Sequence, residues 1–356
     1  MNRKLAFYLL VLSAVILSSA FVGYRLDEMD NGSLSDMPIA TIKSKENQSI
    51  SNTTKSKTAN VILQSNDAGK TWVDISDRLP DFESPEAFFA SKSEIYLRLK
   101  NRMYRSKINL ESPEWEEQAL DPRLTSIAFN PSGTMAYNYQ GQVYRKDQNT
   151  GTWDPIYTEF PVESVRTVFE TINGAVLLGS DYGLFKSADN GWSWRKVLDE
   201  GWVMNMVESD GVLIGSGQGG IIRSTDNGEH WESVINDRGV GITVESIDGG
   251  FAAITCCYEN ISRRVRISLD KGKTWKIIDQ GLPPSLSISS IKQSGGYLIC
   301  GHPDGIYRSS DMGDTWNLVY SNYQYFMPTS EAVPSKVFKL YGNDQILYAV
   351  TVDAGC

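Results

Sequence analysis

The stretch Ser309-Ser310-Asp311-Met312-Gly313-Asp314-Thr315-Trp316 (SSDMGDTW), set between two short apolar runs, carries the spacing that decides the fold. The offsets Ser-x-Asp-x-Gly-x-x-Trp recur at Ser65 (SNDAGKTW), Ser187 (SADNGWSW), Ser224 (STDNGEHW) and Ser268 (SLDKGKTW), five copies in all. Asp at the third position can accept hydrogen bonds from N–H groups of its own turn, and Gly at the fifth tolerates positive φ. Together they predict a tight turn between two antiparallel strands. The closing Trp starts the second strand with a large apolar face and an indole N–H that needs a partner. The structural residues are therefore Asp67, Gly69, Trp72; Asp189, Gly191, Trp194; Asp226, Gly228, Trp231; Asp270, Gly272, Trp275; and Asp311, Gly313, Trp316.

This pattern resembles the Asp-box, or BNR repeat, of sialidases, sortilin-type receptors, xyloglucanases and photosystem II assembly factors. The resemblance implies an all-β chain with a β-propeller over residues 61–356. It selects no function, because those families differ in what they do. The layout, one propeller behind an N-terminal segment, is nearest to that of the assembly-factor-like proteins.

The five boxes leave a gap between Trp72 and Trp194 too wide for one unit, and two degraded repeats fill it, MYRSKINLESPEWEEQ ending at Trp115 and VYRKDQNTGTWDPI at Trp153. The seven Trp are then 43, 38, 41, 37, 44 and 41 residues apart, close to the roughly 40 to 45 residues of a four-stranded blade. A seven-bladed propeller follows. Only one strand candidate, Val61 to Gln64, precedes the first box, whereas two follow the last Trp, Lys336 to Tyr341 and Ile346 to Val352. The counts agree if the C-terminal pair supplies strands A and B, and residues 61–76 supply strands C and D, of a single closing blade. Closure removes the exposed edges of the ring.

The N-terminus reads differently. Residues 5–24 form an uncharged apolar run behind Arg3 and Lys4, which makes residues 1–26 an export signal or a membrane anchor entering with its N-terminus cytoplasmic. Cleavage after Ser18-Ser19-Ala20 and retention as an anchor both stand open. Residues 27–60 are rich in Ser, Asn, Thr and Lys and read as a flexible polar linker. Either N-terminal reading places the propeller in the periplasm, outside the cell, or on a membrane facing away from the cytoplasm. Outside the first 60 residues the balance is 27 basic against 38 acidic groups, which argues against nucleic-acid binding. Four cysteines, Cys256, Cys257, Cys300 and Cys356, are too few and too unevenly spaced for a disulfide scaffold or a zinc site. A Cys257–Cys300 bridge and two buried free thiols are both compatible with the spacing, the second being favoured. No cofactor or metal motif is present.

The boxes occupy the turns between strands C and D on one rim, so ligands are expected on the opposite face, formed by the B-to-C and D-to-A connections. Candidate binding residues there are Tyr182, Tyr258, His302, Asp304, Tyr323, Tyr325 and Phe326. The three-Arg carboxylate clamp and the Arg-Ile-Pro motif of sialidases are missing; Arg166 is the single Arg at a predicted inner-strand start. Arg263, Arg264 and Arg266 are expected on a solvated strand face. Asp181 and Asp304 sit at equivalent turns and read as turn residues rather than an acid–base pair. The expectation is thus a monomeric, non-catalytic propeller, an assembly or scaffold factor, that binds a protein or a glycan and reaches a membrane only through an uncleaved N-terminal segment. The alternative is a sialidase-like or endoglucanase-like glycoside hydrolase whose carboxylates lie in the variable loops.

Overall fold

A computed structural model of the chain describes residues 61–80, 85–108, 113–121, 123–156, 164–236, 239–256, 262–321, 336–342 and 346–353. The N-terminal segment and linker, together with Tyr258, Tyr323, Tyr325, Phe326, Cys257 and Cys356, lie outside these residues. The described residues form seven antiparallel four-stranded sheets arranged as a seven-bladed β-propeller.

Blade 4 shows the unit. Its strands are A (Val165–Glu170), B (Val176–Ser180), C (Gly183–Ser187) and D (Arg195–Leu198), hydrogen-bonded in that order. The box Ser187 to Trp194 joins C to D, as its spacing predicts. A strands of successive blades lie side by side around the ring, and that of blade 2 (Ala87–Ala90) neighbours that of blade 1 (Lys336–Gly342). Blade 1 is the predicted closing blade, in the order Val73–Asp74, Ile62–Ser65, Leu347–Asp353, Lys336–Gly342. Leu63 pairs with Ala349 across the closure, and the Thr351 N–H donates to the Val61 carbonyl at 2.9 Å.

Each blade is buried on both faces, which explains why its B strand reads as an apolar run rather than a simple alternation. Leu178 packs toward blade 3 with Met135 and Val143, whereas its neighbour Leu177 packs toward blade 5 with Val203 and Leu213. The same division places one apolar cluster at each of the seven junctions among the described residues. Cys300 is a free thiol sealed into the junction of blades 6 and 7, where burial raises its pKa.

The five intact boxes share one geometry. Ser Oγ donates to the Asp carboxylate and accepts the Gly N–H, as in Ser309 to Asp311 at 2.8 Å and Gly313 to Ser309 at 2.8 Å. Oδ1 of Asp311 takes the Thr315 N–H at 2.8 Å and Oδ2 takes its hydroxyl at 2.6 Å. In the box of blade 5, His230 Nδ1 replaces that hydroxyl, 2.6 Å from Asp226 Oδ2. Two consecutive residues have positive φ, the Gly and the residue before it, for example Met312 at 56° and Gly313 at 90°. The repeat between blade 3 strands Val143–Lys146 and Trp153–Pro155 is less degraded than its sequence implies. Asp147 still accepts the N–H groups of Asn149 and Thr150 at 2.9 and 2.7 Å, in a longer turn that Gly151 closes at φ 74°.

A second repeated device ties blades together. The strand C residue paired with the one after the Trp is Lys186 in blade 4, Arg223 in blade 5 and Arg308 in blade 7. Each donates to the carbonyl of the positive-φ residue in the next blade's box: Lys186 to Asn227 at 2.7 Å, Arg223 to Lys271 at 2.7 Å and Arg308 to Ala68 at 2.8 Å. Blade 6 has Ile267 at that position. There the next box compensates, since Trp316 Nε1 donates across the junction to Ile278 O at 2.7 Å. The other four box Trp donate to the carbonyl of their own box Gly, as Trp194 does to Gly191 at 2.9 Å.

Arg263 does not sit on a solvated face. It is buried, and its guanidinium donates to Ile288 O at 2.9 Å while its N–H donates to Ser285 O at 2.8 Å. Arg264 pairs with Asp279 at 3.1 Å. The run fastens blade 6 to the segment leading into blade 7, a contact that depends on residues some twenty positions away and is invisible in local spacing.

Candidate functional site

On the face opposite the boxes, the B-to-C turns of blades 3 and 4 and the entry to blade 5 bring Tyr139, Arg166, Asp181, Tyr182, Trp202 and Met204 onto adjoining elements. Arg166 is the second residue of strand A in blade 4, where the register with strand B shifts between Val165 and Thr167. The shift leaves Arg166 as the extra residue of a bulge, which re-aims its side chain. The same shift recurs at Met204 in strand A of blade 5 (Val203–Ser209). Gly217, at the end of strand B, makes room for the chain to enter this blade, because a Cβ there would lie 2.1 Å from the Trp202 carbonyl.

Arg166 Nε donates to Asp181 Oδ1, and the Tyr139 hydroxyl donates to Asp181 Oδ2 at 2.5 Å. The guanidinium carbon is 6.0 Å from the Tyr139 ring centroid and 5.4 Å from that of Trp202, within cation–π range. Partial burial works to raise the Asp181 pKa, but the hydrogen bonds from Tyr139 and Arg166 outweigh it and hold the carboxyl below its usual value. Asp181 is thus an anion at neutral pH, suited to holding Tyr139 and Arg166 in place and unsuited to donating a proton to a leaving group. The carbonyl of Tyr139 anchors the turn by accepting the N–H groups of Ser164 and Val165 at 2.6 and 3.0 Å, with Ser164 in a positive-φ conformation at 75°. Tyr139 is 47% exposed, so the patch presents an aromatic ring beside a neutralised charge pair, with Tyr182, 61% exposed, next to Asp181 in the turn.

Of the sequence candidates, Tyr182 is exposed in the same B-to-C turn as Asp181. His302 is buried instead. Its Nε2 lies 2.9 Å from the Pro283 carbonyl, its Nδ1 accepts the Asp304 N–H at 3.1 Å, and its ring packs edge-on against Tyr307. Burial holds His302 below its usual pKa against the opposing pull of the Pro283 carbonyl and Asp304. His302 therefore fastens the B-to-C turn of blade 7 to Pro283, its ring held from within the turn by Asp304. Tyr139 and Trp202 were not among the candidates, although Tyr139 follows strand B of blade 3 just as Tyr182 follows strand B of blade 4. Among the described residues no three His, Cys, Asp or Glu side chains gather as a metal site.

No family model matches the chain, and no curated protein matches it. Solved structures do. A GH74 xyloglucanase from Xanthomonas campestris superposes with a TM-score of 0.55 at 15% identity, covering 76% of this chain and 53% of the xyloglucanase. The extracellular domain of the one-component system BT4673 from B. thetaiotaomicron gives a TM-score of 0.53 at 10% identity, with 70% and 38% covered. YCF48 bound to D1 peptide gives 0.51 at 15% identity, with 74% and 92% covered. The chain thus spans about half or less of the first two proteins and nearly all of YCF48. At these identities the likeness is one of fold, a β-propeller shared by proteins of unlike function.

Proposed function

We propose that the chain is an exported, non-catalytic propeller that binds a protein partner on the face opposite its box turns, as an assembly or scaffold factor. The observation that carries this reading is the exposed Tyr139–Asp181–Arg166 arrangement flanked by Tyr182 and Trp202. Tyr, Trp and Arg are the residue types that dominate protein-binding hot spots, and here hydrogen bonds hold two of them in place before any partner arrives, reducing the entropy cost of binding. The ionised Asp181 lacks the proton that a glycosidase acid must supply. Binding of a peptide by YCF48, a propeller of similar extent, supports a protein rather than a sugar as the ligand. Export directed by residues 1–26 is in keeping with the extracellular placement of the BT4673 domain.

Affinity capture by the full chain and by a Tyr139→Ala/Arg166→Gln double variant, run beside hydrolysis of an aryl-glycoside and polysaccharide panel, tests the proposal. A partner retained by the parent and lost by the variant, with no turnover of any glycoside, supports it. Turnover abolished by a single carboxylate substitution on this face refutes it.

A further inference from the structure

We infer that the cleft between blades 3 and 4 on the box rim is a docking site for a carboxylate-bearing peptide segment, with Arg145 taking the carboxylate and Trp192 covering the side chain next to it. Arg145 holds the strand position of Lys186, Arg223 and Arg308, for it pairs with Asp154, the residue after Trp153. By the rule of the other junctions it should donate to the carbonyl of Asn190 in the box of blade 4. That bond is not made. Nε and one terminal nitrogen of Arg145 are buried without a hydrogen-bond partner among the described residues, and Asp154 opposite forms no ion pair with it. The equivalent Arg105 of blade 2 is satisfied by Glu94 and Glu116. Among the described residues the half-buried Arg145 guanidinium at the blade 3–4 junction is therefore left without an acceptor, which a carboxylate entering the cleft would supply.

The space beside it has the shape for such a ligand. A cleft of about 200 Å³ is lined by Arg145, Pro155, Ile156, Asn190, Gly191 and Trp192. Trp192, at a variable box position, is 77% exposed, the largest exposure among the apolar side chains of the described residues. It offers an indole face with no packing role at the edge of the cleft. The volume falls below the roughly 300 to 1,000 Å³ of a typical small-molecule pocket, and suits one or two side chains of an extended segment. The surrounding protein is acidic overall, with a net charge of −9, so an uncompensated guanidinium is a local attractor for an anionic group and selects against neutral segments.

Panning a random peptide display library against the full chain tests this. The expected result is enrichment of peptides with an Asp, a Glu or a free C-terminal carboxylate beside an apolar residue. As synthetic peptides they should lose about tenfold or more in affinity for Arg145→Gln, for Trp192→Ala, and when their carboxylate is made an amide. Trp192→Ala serves as the variant that cannot be dismissed as misfolded, given its exposure. The inference is overturned by enrichment of peptides without a carboxylate, by failure to enrich any, or by displacement of enriched peptides with an oligogalacturonate that binds more tightly. It is also overturned if Arg145→Gln lowers the melting temperature while leaving peptide affinity unchanged, which would make Arg145 a fourth tie between blades.

Discussion

Arg308 Nε donates to the Ala68 carbonyl at 2.8 Å, joining residues 240 positions apart across the seam where the ring closes. The Arg308 guanidinium also lies 3.3 Å from the Tyr297 ring centroid, so its charge is shared between a carbonyl and a π face. Arg308→Met keeps the aliphatic bulk and removes both contacts. It should destabilise the propeller by about 1 to 2 kcal/mol, lowering the melting temperature by a few degrees, as differential scanning calorimetry would register. An unchanged transition would mean that the seam does not depend on this bond.

Loss of strands C and D of blade 1 is a harsher test of closure. Removing residues 61–76 exposes strand B of that blade, Leu347–Asp353, and opens the apolar clusters holding Ile62 and Leu63. The account predicts loss of cooperative unfolding for the whole domain rather than a trimmed but intact one. A truncated chain that melts sharply at the parent temperature would contradict it.

The box aspartates make stability depend on acid in a defined direction. Hydrogen bonds from the Ser193 hydroxyl and N–H hold Asp189 at about 2, and those from Thr315 do the same for Asp311, against an ordinary value of 3.8. A carboxyl whose folded pKa is depressed contributes stability that is complete above the unfolded value and is lost as the pH falls through the folded one. Denaturant midpoints should therefore be flat above about pH 5 and fall between about pH 4 and 2. Asp311→Asn should flatten that fall, and a slope unaffected by the substitution would assign the acid sensitivity elsewhere.

Much of this molecule is legible in its sequence, because the residues that build each box act locally and each supplies something few others can: the Asp carboxylate, the Gly at positive φ, the Trp face. The closing blade is legible because Trp72 has one strand before it and the blade of Trp316 has two strands after its last. What was hidden depends on distant or irregular backbone. The carbonyl of Ala68 carries no side-chain signature, so the tie from Arg308 could not be foreseen. Arg166 is aimed by a register shift between Val165 and Thr167, which no alternation of polar and apolar residues announces. Arg263 is buried by the 285–288 segment, although it stands in a run with Arg264 and Arg266.

The patch on the opposite face should be separable from stability. Tyr139→Phe removes the 2.5 Å hydrogen bond to Asp181 at an exposed position. It should shift the melting temperature by no more than about 1 to 2 °C, in line with surface substitutions, while lowering affinity for a captured partner by about tenfold. Equal affinity for the parent and the variant would remove the triplet from the binding surface.

Site-specific photo-crosslinking tests most directly the claim that binding occurs on the face away from the boxes. A photoreactive residue replaces Tyr182 on that face in one chain, and in another replaces Ile172, which is 74% exposed in the A-to-B turn on the box side. In cells that make the protein, position 182 should give one predominant protein adduct that position 172 does not give and that Arg166→Gln abolishes. The same adduct from both positions, or one from 172 alone, would contradict the account.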